Sequence, residues 1–436
     1  MVCLLVLLCG GCAGGHHRSS ANVEAEEDGG TLTGYSKLPP LRVKFYLERS
    51  GSMTAYDAPQ GDGSFKKAIV SLLNALPGDK NQLFVVNDSI HPYPKGIRQF
   101  VESSNIFAST KGIGNPAYTD FRKIFNALLN QTKSGEVSVL VSDLIYSVNG
   151  MTAVSPQKLF ADEEGMVSMV FKDAASQKSM LVVQMSGSYN GPYYTYDSPA
   201  SGRQYDGRRP YYILVVGTNG DMRRLASDER YAAFRDFKSL AGYRGQYLFT
   251  RDAGSSDNGC RPFAGFLMSG GDIEGRFRLD RDDRSTLTSV KPDATTGRLR
   301  LALAVDLDHL LVPESWSTNP ANYTISGADG LHVVKIRRID ERERTNEARP
   351  YMGTASHVIV LEGRGLKART DADIALRNEL PQWVAASSTD DDTQLGARDF
   401  ATTTFGLSHL MRAVFDSYAR GSARLSYFKL HIRLEK

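Results

Sequence analysis

Glu48, Ser50 and Ser52 place three oxygen-bearing side chains two residues apart, directly after an apolar run from Leu41 to Leu47. Gly51, between the serines, permits a tight turn, so one loop can aim a carboxylate and two hydroxyls at a single point. Hard oxygen donors with few carboxylates suit Mg²⁺, or Mn²⁺ in its place, because such an ion keeps waters and leaves room for an outside ligand. The chemistry expected is cation capture rather than bond breaking, and no enzymatic activity is expected. The chain has no His-Glu-x-x-His motif, no Gly-x-Ser-x-Gly elbow and no phosphate loop ending in Gly-Lys-Ser/Thr. Ser50 or Ser52 as a nucleophile would need a general base, and the region supplies carboxylates instead.

The elements that must position this loop follow from the hydrophobic pattern. Leu41 to Leu47 is apolar enough for a buried parallel strand, and open α/β sheets bind ligands at the carboxyl ends of such strands. Phe65, Ala68, Ile69, Leu72, Leu73 and Leu76 recur at helical spacing, closed by Pro77-Gly78. Leu83 to Val86 reads as a short strand and Ile90 to Val101 as loop plus edge strand. Phe121, Ile124, Phe125, Leu128 and Leu129 mark a second helix that starts just after Thr119. Val137 to Ser142 is a buried strand delivering Asp143 to the same edge as Glu48. A helix over Leu159 to Phe171, strands at Met180 to Met185 and Tyr211 to Val216, a helix capped by Ser227 through Leu240, and a strand at Tyr247 to Thr250 complete an α/β, doubly wound, mostly parallel arrangement.

Tyr118-Thr119-Asp120 ahead of a helix and Val139-Leu140-Val141-Ser142-Asp143 at a strand end stand in order behind the Glu-x-Ser-x-Ser loop. Together these residues, in a chain reading from Leu41 to Thr250, resemble the metal-ion-dependent adhesion site of von Willebrand factor type A (vWA) domains, whose first motif is Asp-x-Ser-x-Ser. Glu48 departs from the family, which usually has Asp there. The resemblance implies a vWA-like fold in which Ser50, Ser52 and Thr119 touch a divalent cation. Glu48 and Asp143 act directly or through water, and a protein partner completes the coordination with an acidic side chain. It leaves two rivals: a metal-free structural scaffold of the envelope, and a metal-dependent hydrolase.

The rest of the chain supplies context. Its 436 residues, 41% hydrophobic and 23% charged, suggest two or three domains with a real core. A net charge of +3 with no Lys/Arg stripe gives nucleic acid no support as a partner. Residues 1–11 read as the apolar part of a signal peptide, and Gly10-Gly11-Cys12 resembles a bacterial lipobox with Cys12 acylated. Cys9 stands where an aliphatic residue is usual and no basic residue precedes the run, which points to a start codon further upstream. Residues 12–40 form a polar tether, and the anchor would hold the protein to a membrane. The overall pattern is similar to uncharacterised vWA-containing lipoproteins of Gram-negative bacteria, which implies the cell envelope, with the outer membrane the expected site. Only Cys260 remains in the body, so no intramolecular disulfide is expected.

Residues 41–253 are assigned to the vWA-like domain and 254–436 to a β-rich, sandwich-like region with a C-terminal helix and strand. Between the strands at 180–185 and 211–216 lies an insertion rich in Tyr and Arg, a composition of binding surfaces. Tyr193, Tyr194, Tyr196 and Arg203 are its expected partner contacts. Asp306, Asp308 and His309 are expected on a solvated strand face. Asp390-Asp391-Asp392 is expected to be a disordered acidic loop, and Asp280, Asp282 and Asp283 to pair with Arg281 and Arg284.

Overall fold

A computed structural model describes residues 38–146, 155–251, 263–308, 310–343, 355–419 and 426–436. The leader, Cys12, the tether as far as Lys37, Cys260 and His309 lie outside the described residues.

The expected first strand forms β1 (Arg42–Glu48), with Val43, Phe45, Tyr46 and Leu47 all buried. It lies near the middle of a seven-stranded sheet that also contains β2 (Gln82–Val86), β3 (Ile90–Pro92), β4 (Glu136–Ser142), β5 (Lys178–Tyr193), β6 (Arg203–Thr218) and β7 (Tyr243–Phe249). The spatial order is β3-β2-β1-β4-β6-β5-β7. β1 runs parallel to β2 and β4, whereas β6 is antiparallel to β4, β5 to β6, and β7 to β5. The expectation of a mostly parallel sheet is therefore corrected to a mixed one. β5 and β6 follow each other without a helix between them, and two strands joined directly can only pair antiparallel.

Helix α1 (Ser64–Asn74) buries Phe65, Ala68, Ile69, Leu72 and Leu73, the residues whose spacing marked it. A short helix at Gly96–Glu102 occupies part of the stretch read as loop and edge strand. α2 (Phe121–Asn130) starts at Asp120, whose side chain accepts from Lys123 N, and α3 (Pro156–Phe171) is capped by Ser155. Ser227 ends α4 (Asn219–Ser227) rather than starting a helix. Its hydroxyl donates to Arg223 O, and Asp228 caps a following 3-10 turn at Glu229–Phe234.

The C-terminal half builds two further sheets. One has the order β12 (Tyr323–Ser326), β15 (Arg369–Arg377), β16 (Ser426–Glu435), β10 (Thr286–Lys291), β9 (Arg276–Leu279); the other β13 (Leu331–Arg338), β14 (His357–Gly363), β11 (Leu299–Val305), β8 (Phe263–Phe266). Leu301, Leu303 and Ile359 of the second share one apolar cluster with Ile374, Leu430 and Ile432 of the first, as stacked sheets do. The closing strand is internal, pairing with β15 and β10. Asp280 and Asp283 accept turn N–H and hydroxyl hydrogens at the β9–β10 junction. Asp306 is buried, not on a solvated face.

Residues 382–419, expected with the β-rich half, lie against the first sheet. Thr404 meets the Tyr212 hydroxyl at 2.9 Å, and helix α5 (Leu407–Ala419) packs on α3 through Tyr418 and Phe171.

Candidate functional site

β1 and β4 end side by side, Leu47 opposite Val141, so the residues after each strand leave the sheet at the same edge. Glu48 is the last residue of β1 and Asp143 follows β4 directly. Thr119 reaches the same edge because it precedes the capping residue of α2. The Ser50–Ser52 loop is tied to the stretch before α2 by Gly51 N donating to Pro116 O at 3.2 Å. Leu144 adopts φ 56°, a left-handed conformation disfavoured for a residue with a β-carbon, and such strain is found where a neighbouring side chain must be aimed. The same turn lets Leu144 N donate to Ser142 Oγ at 2.9 Å and Ile145 N to Asp143 Oδ1 at 3.2 Å.

All five residues expected at a cation site are brought together. Ser52 Oγ donates to Asp143 Oδ2 at 2.7 Å, and the Ser50 and Ser52 hydroxyls lie 3.0 Å apart. Thr119 Oγ1 donates to Glu48 Oε1 at 2.5 Å, while the Ser142 hydroxyl donates to the other Glu48 oxygen. Ser142 was not among the expected residues. A hydroxyl at the end of a fully buried strand needs a partner, which is the signal that could have found it.

The electrostatics are those of a buried acidic pair. Glu48 is 1% and Asp143 2% exposed, and among the described residues no Lys, Arg or His nitrogen hydrogen-bonds to either. Burial first, then the Asp143 charge, push the Glu48 carboxyl from 4.5 up to about 8 against its hydroxyl donors. Asp143 is also raised, chiefly by burial, with Ser52, the Ile145 N–H and the Arg209 charge opposing. Without a cation the pair therefore retains a proton above the ordinary carboxylate range. Two buried carboxylates and three hydroxyls, all oxygen and lacking a contacting positive charge, fit a hard divalent ion. Ser50, Ser52 and Thr119 with Asp143 and Glu48 are the residues that would hold it.

Glu48, Ser50, Ser52 and Thr119 floor a cavity of about 570 Å³, walled by Pro116, Tyr118, Tyr146, Tyr194, Tyr196 and Phe405 among others. A larger cavity, about 830 Å³, lies elsewhere, lined by Lys238, Asp308, Arg338 and His357, and includes none of the site residues.

The Tyr/Arg insertion is a hairpin. It continues β5 and β6 as a ladder of paired residues out to Tyr193 opposite Arg203. Tyr193, expected to contact a partner, is 1% exposed: its hydroxyl donates to Asp392 Oδ2 at 3.0 Å and accepts from Arg209 Nη2 at 3.2 Å. The strand alternation turns it inward, so that expectation is corrected. Arg203 is exposed but bonds within the chain, to Thr393 O. Tyr194 and Tyr196 line the cavity.

Sequence reasoning also missed Asp392 and gave Arg209 no role. Asp392 is 1% exposed and also accepts from Tyr196 N at 3.1 Å, so the expected disordered acidic loop is corrected to an ordered strap along the hairpin. Burial pushes its carboxyl from 3.8 up to about 6. Arg209, 2% exposed, lies over the rings of Tyr193 at 4.6 Å and Phe400 at 4.0 Å and donates to Phe400 O. No local pattern marks either residue, because each partner lies far away in sequence. Neither a protein-family model, nor a curated protein, nor a solved structure matches this chain.

Proposed function

We propose that the chain is a lipid-anchored binding protein of the cell envelope, with a vWA-like domain that engages an acidic protein partner through a divalent cation. The observation that carries this reading is the convergence of Glu48, Ser50, Ser52, Thr119 and Asp143 at one sheet edge, linked by hydroxyl-to-carboxylate hydrogen bonds. These residues, up to 95 positions apart in sequence, bring five oxygen-bearing side chains to that edge. Mg²⁺ or Mn²⁺ bound there would supply charge neutralisation and a Lewis-acid position for a partner oxygen. The chain's own part is to orient the hydroxyls, through the turn at Gly51 and the start of α2, and to exclude bulk water around two carboxylates. The Cys12 anchor and a vWA-type topology belong to the same proposal and rest on the sequence resemblance.

One observation favours a metal-free scaffold as a second reading: both Glu48 oxygens already accept hydrogen bonds, from Thr119 and Ser142, so the chain's own hydroxyls meet the carboxylate without an ion.

Titration calorimetry of Mg²⁺ and Mn²⁺ into the purified chain separates the two. The expected result is one saturable site that the Ser50→Ala, Ser52→Ala variant abolishes. A folded wild-type protein that takes up neither ion would leave the scaffold reading.

A further inference from the structure

We propose that the cavity over the Ser50–Ser52 loop takes a trimethylammonium group, held by the faces of tyrosine rings and by the charge of buried carboxyls. This goes beyond the divalent-ion reading and does not need it.

The rings set the kind of ligand. Tyr118, Tyr146, Tyr194, Tyr196 and Phe405 line the cavity. Among the described residues, Tyr118 and Tyr194 make no ring-to-ring contact, Tyr146 meets only Phe121, and Tyr196 only Phe405, at 5.1 Å and 11°. Ring faces are therefore left for a guest. Tyr194 is fixed in place, since a β-carbon on Gly51 would come within 2.8 Å of its Cε2 and one on Gly202 within 3.0 Å of its Cε1. Several rings around one space suit an alkylated ammonium, because the negative face of each attracts a cation whose methyl groups are weakly hydrated. The hairpin and strap hold one cation in this way already: Arg209 lies 4.6 Å from the Tyr193 ring and 4.0 Å from that of Phe400.

Charge sets its sign. Glu48 and Asp392 line the cavity, and among the described residues no Lys, Arg or His does. Asp143 lies under the floor, bonded to Ser52. Glu163, 3% exposed, stands beside Gly406, and its Oε2 has no hydrogen-bond partner among the described residues. The buried guanidinium of Arg209 is engaged by Phe400 O and the Tyr193 hydroxyl. A guest that is positive, rather than neutral or anionic, complements this surround.

Hydrogen bonding decides against a primary amine. Both Asp392 oxygens accept from the chain, from the Tyr193 hydroxyl and Tyr196 N, and both Glu48 oxygens accept from Thr119 and Ser142. A primary ammonium brings three N–H donors that must be satisfied once buried, whereas a trimethylammonium carries the same charge with none. A volume of about 570 Å³ encloses such a group with a short tail. A divalent ion at the floor offsets Glu48 and Asp143, so the two cations are alternative occupants.

The test is titration calorimetry of choline into the purified full chain in EDTA, beside ethanolamine and the neutral alcohol in which carbon replaces the choline nitrogen. Expected is one site that binds choline at least tenfold more tightly than either. Tyr194→Leu should weaken choline at least tenfold and Tyr194→Phe, which keeps the ring, less than threefold, both shown by circular dichroism to be folded. Co-sedimentation with phosphatidylcholine vesicles that choline reverses supports the proposal with a lipid headgroup as the source, and choline binding without vesicle binding supports it with a free small molecule. No binding of choline, equal binding of the neutral alcohol, or undiminished binding by Tyr194→Leu overturns it. Should Tyr194→Leu not fold, the comparison of choline with the neutral alcohol on the unaltered chain decides. Because the assay runs in EDTA, absence of a Mg²⁺ site in a separate titration removes the divalent-ion reading alone, and a Mg²⁺ site without choline binding removes this inference alone.

Discussion

Glu48 illustrates how one residue's environment sets its chemistry. Its carboxyl sits at about 8 in the cation-free fold against 4.5 in the unfolded chain, because burial and the neighbouring Asp143 both disfavour the charged form. Between those values the folded protein holds a proton that the unfolded chain has released. Stability must then fall as pH rises through this window. Urea denaturation in EDTA should show a midpoint decreasing from about pH 5 to about pH 8, on the order of 1 kcal/mol per unit at the steepest. Glu48→Gln, neutral throughout, should flatten that slope, and an unchanged slope would move the titration to another group. A divalent cation needs the deprotonated form, so Mg²⁺ affinity should rise over the same interval.

At the scale of the element, the hairpin formed by the outer parts of β5 and β6 is the feature that makes the site a cavity. Its rings and carboxylate are legible in the sequence as composition, but their direction is not. Alternation along β5 turns Tyr189 and Tyr193 inward, and the strap at 388–405 covers them. Asp392 is the tie between strap and hairpin. Replacing Asp392 with Ala removes the acceptor of the Tyr193 O–H and of the Tyr196 N–H, a loss of about 1–3 kcal/mol for buried polar groups. Chemical denaturation should register that loss, and limited proteolysis should cut faster in the hairpin tip between Tyr194 and Gly202. Asp392→Asn keeps an acceptor and should lose less. If Ala and Asn variants behave alike, the strap is held by its aromatic contacts, chiefly Phe400 on Tyr193 and Tyr205.

At the scale of the molecule, the two halves share interior. Tyr247 of β7 meets Asn378 at 2.5 Å, Trp383 packs on Gly245, and Arg251 donates to Tyr418 O at 2.7 Å. A single apolar cluster runs from Val43 in the first sheet to Ile432 in the last strand. Halves that share a core lose it together, so differential scanning calorimetry should show one cooperative transition. Two resolved endotherms would mean that these contacts are too weak to couple the halves.

The division between sequence and structure follows from the range of the forces involved. The apolar strand at Leu41 to Leu47, the helical spacing at Phe65 to Leu73, the helix start just after Thr119 and the oxygen donors at positions 48, 50, 52, 119 and 143 are local patterns. Period and residue type write them directly into the chain. So is the alternation of Phe428, Leu430, Ile432 and Leu434 that puts the final strand in a sheet. Strand direction beyond β4 was not legible, since an apolar strand pairs either way and only the direct β5–β6 connection decides. Nor were the burial of Arg209 between two rings, the Asp392 tie or the Ser142 bond to Glu48. Each is a contact across 16 to 199 residues, selected by where the sheet, hairpin and strap meet in space. The sequence determined which donors stand at the site; the tertiary structure decided that they lie under a roof, because only packing of distant segments encloses a cavity.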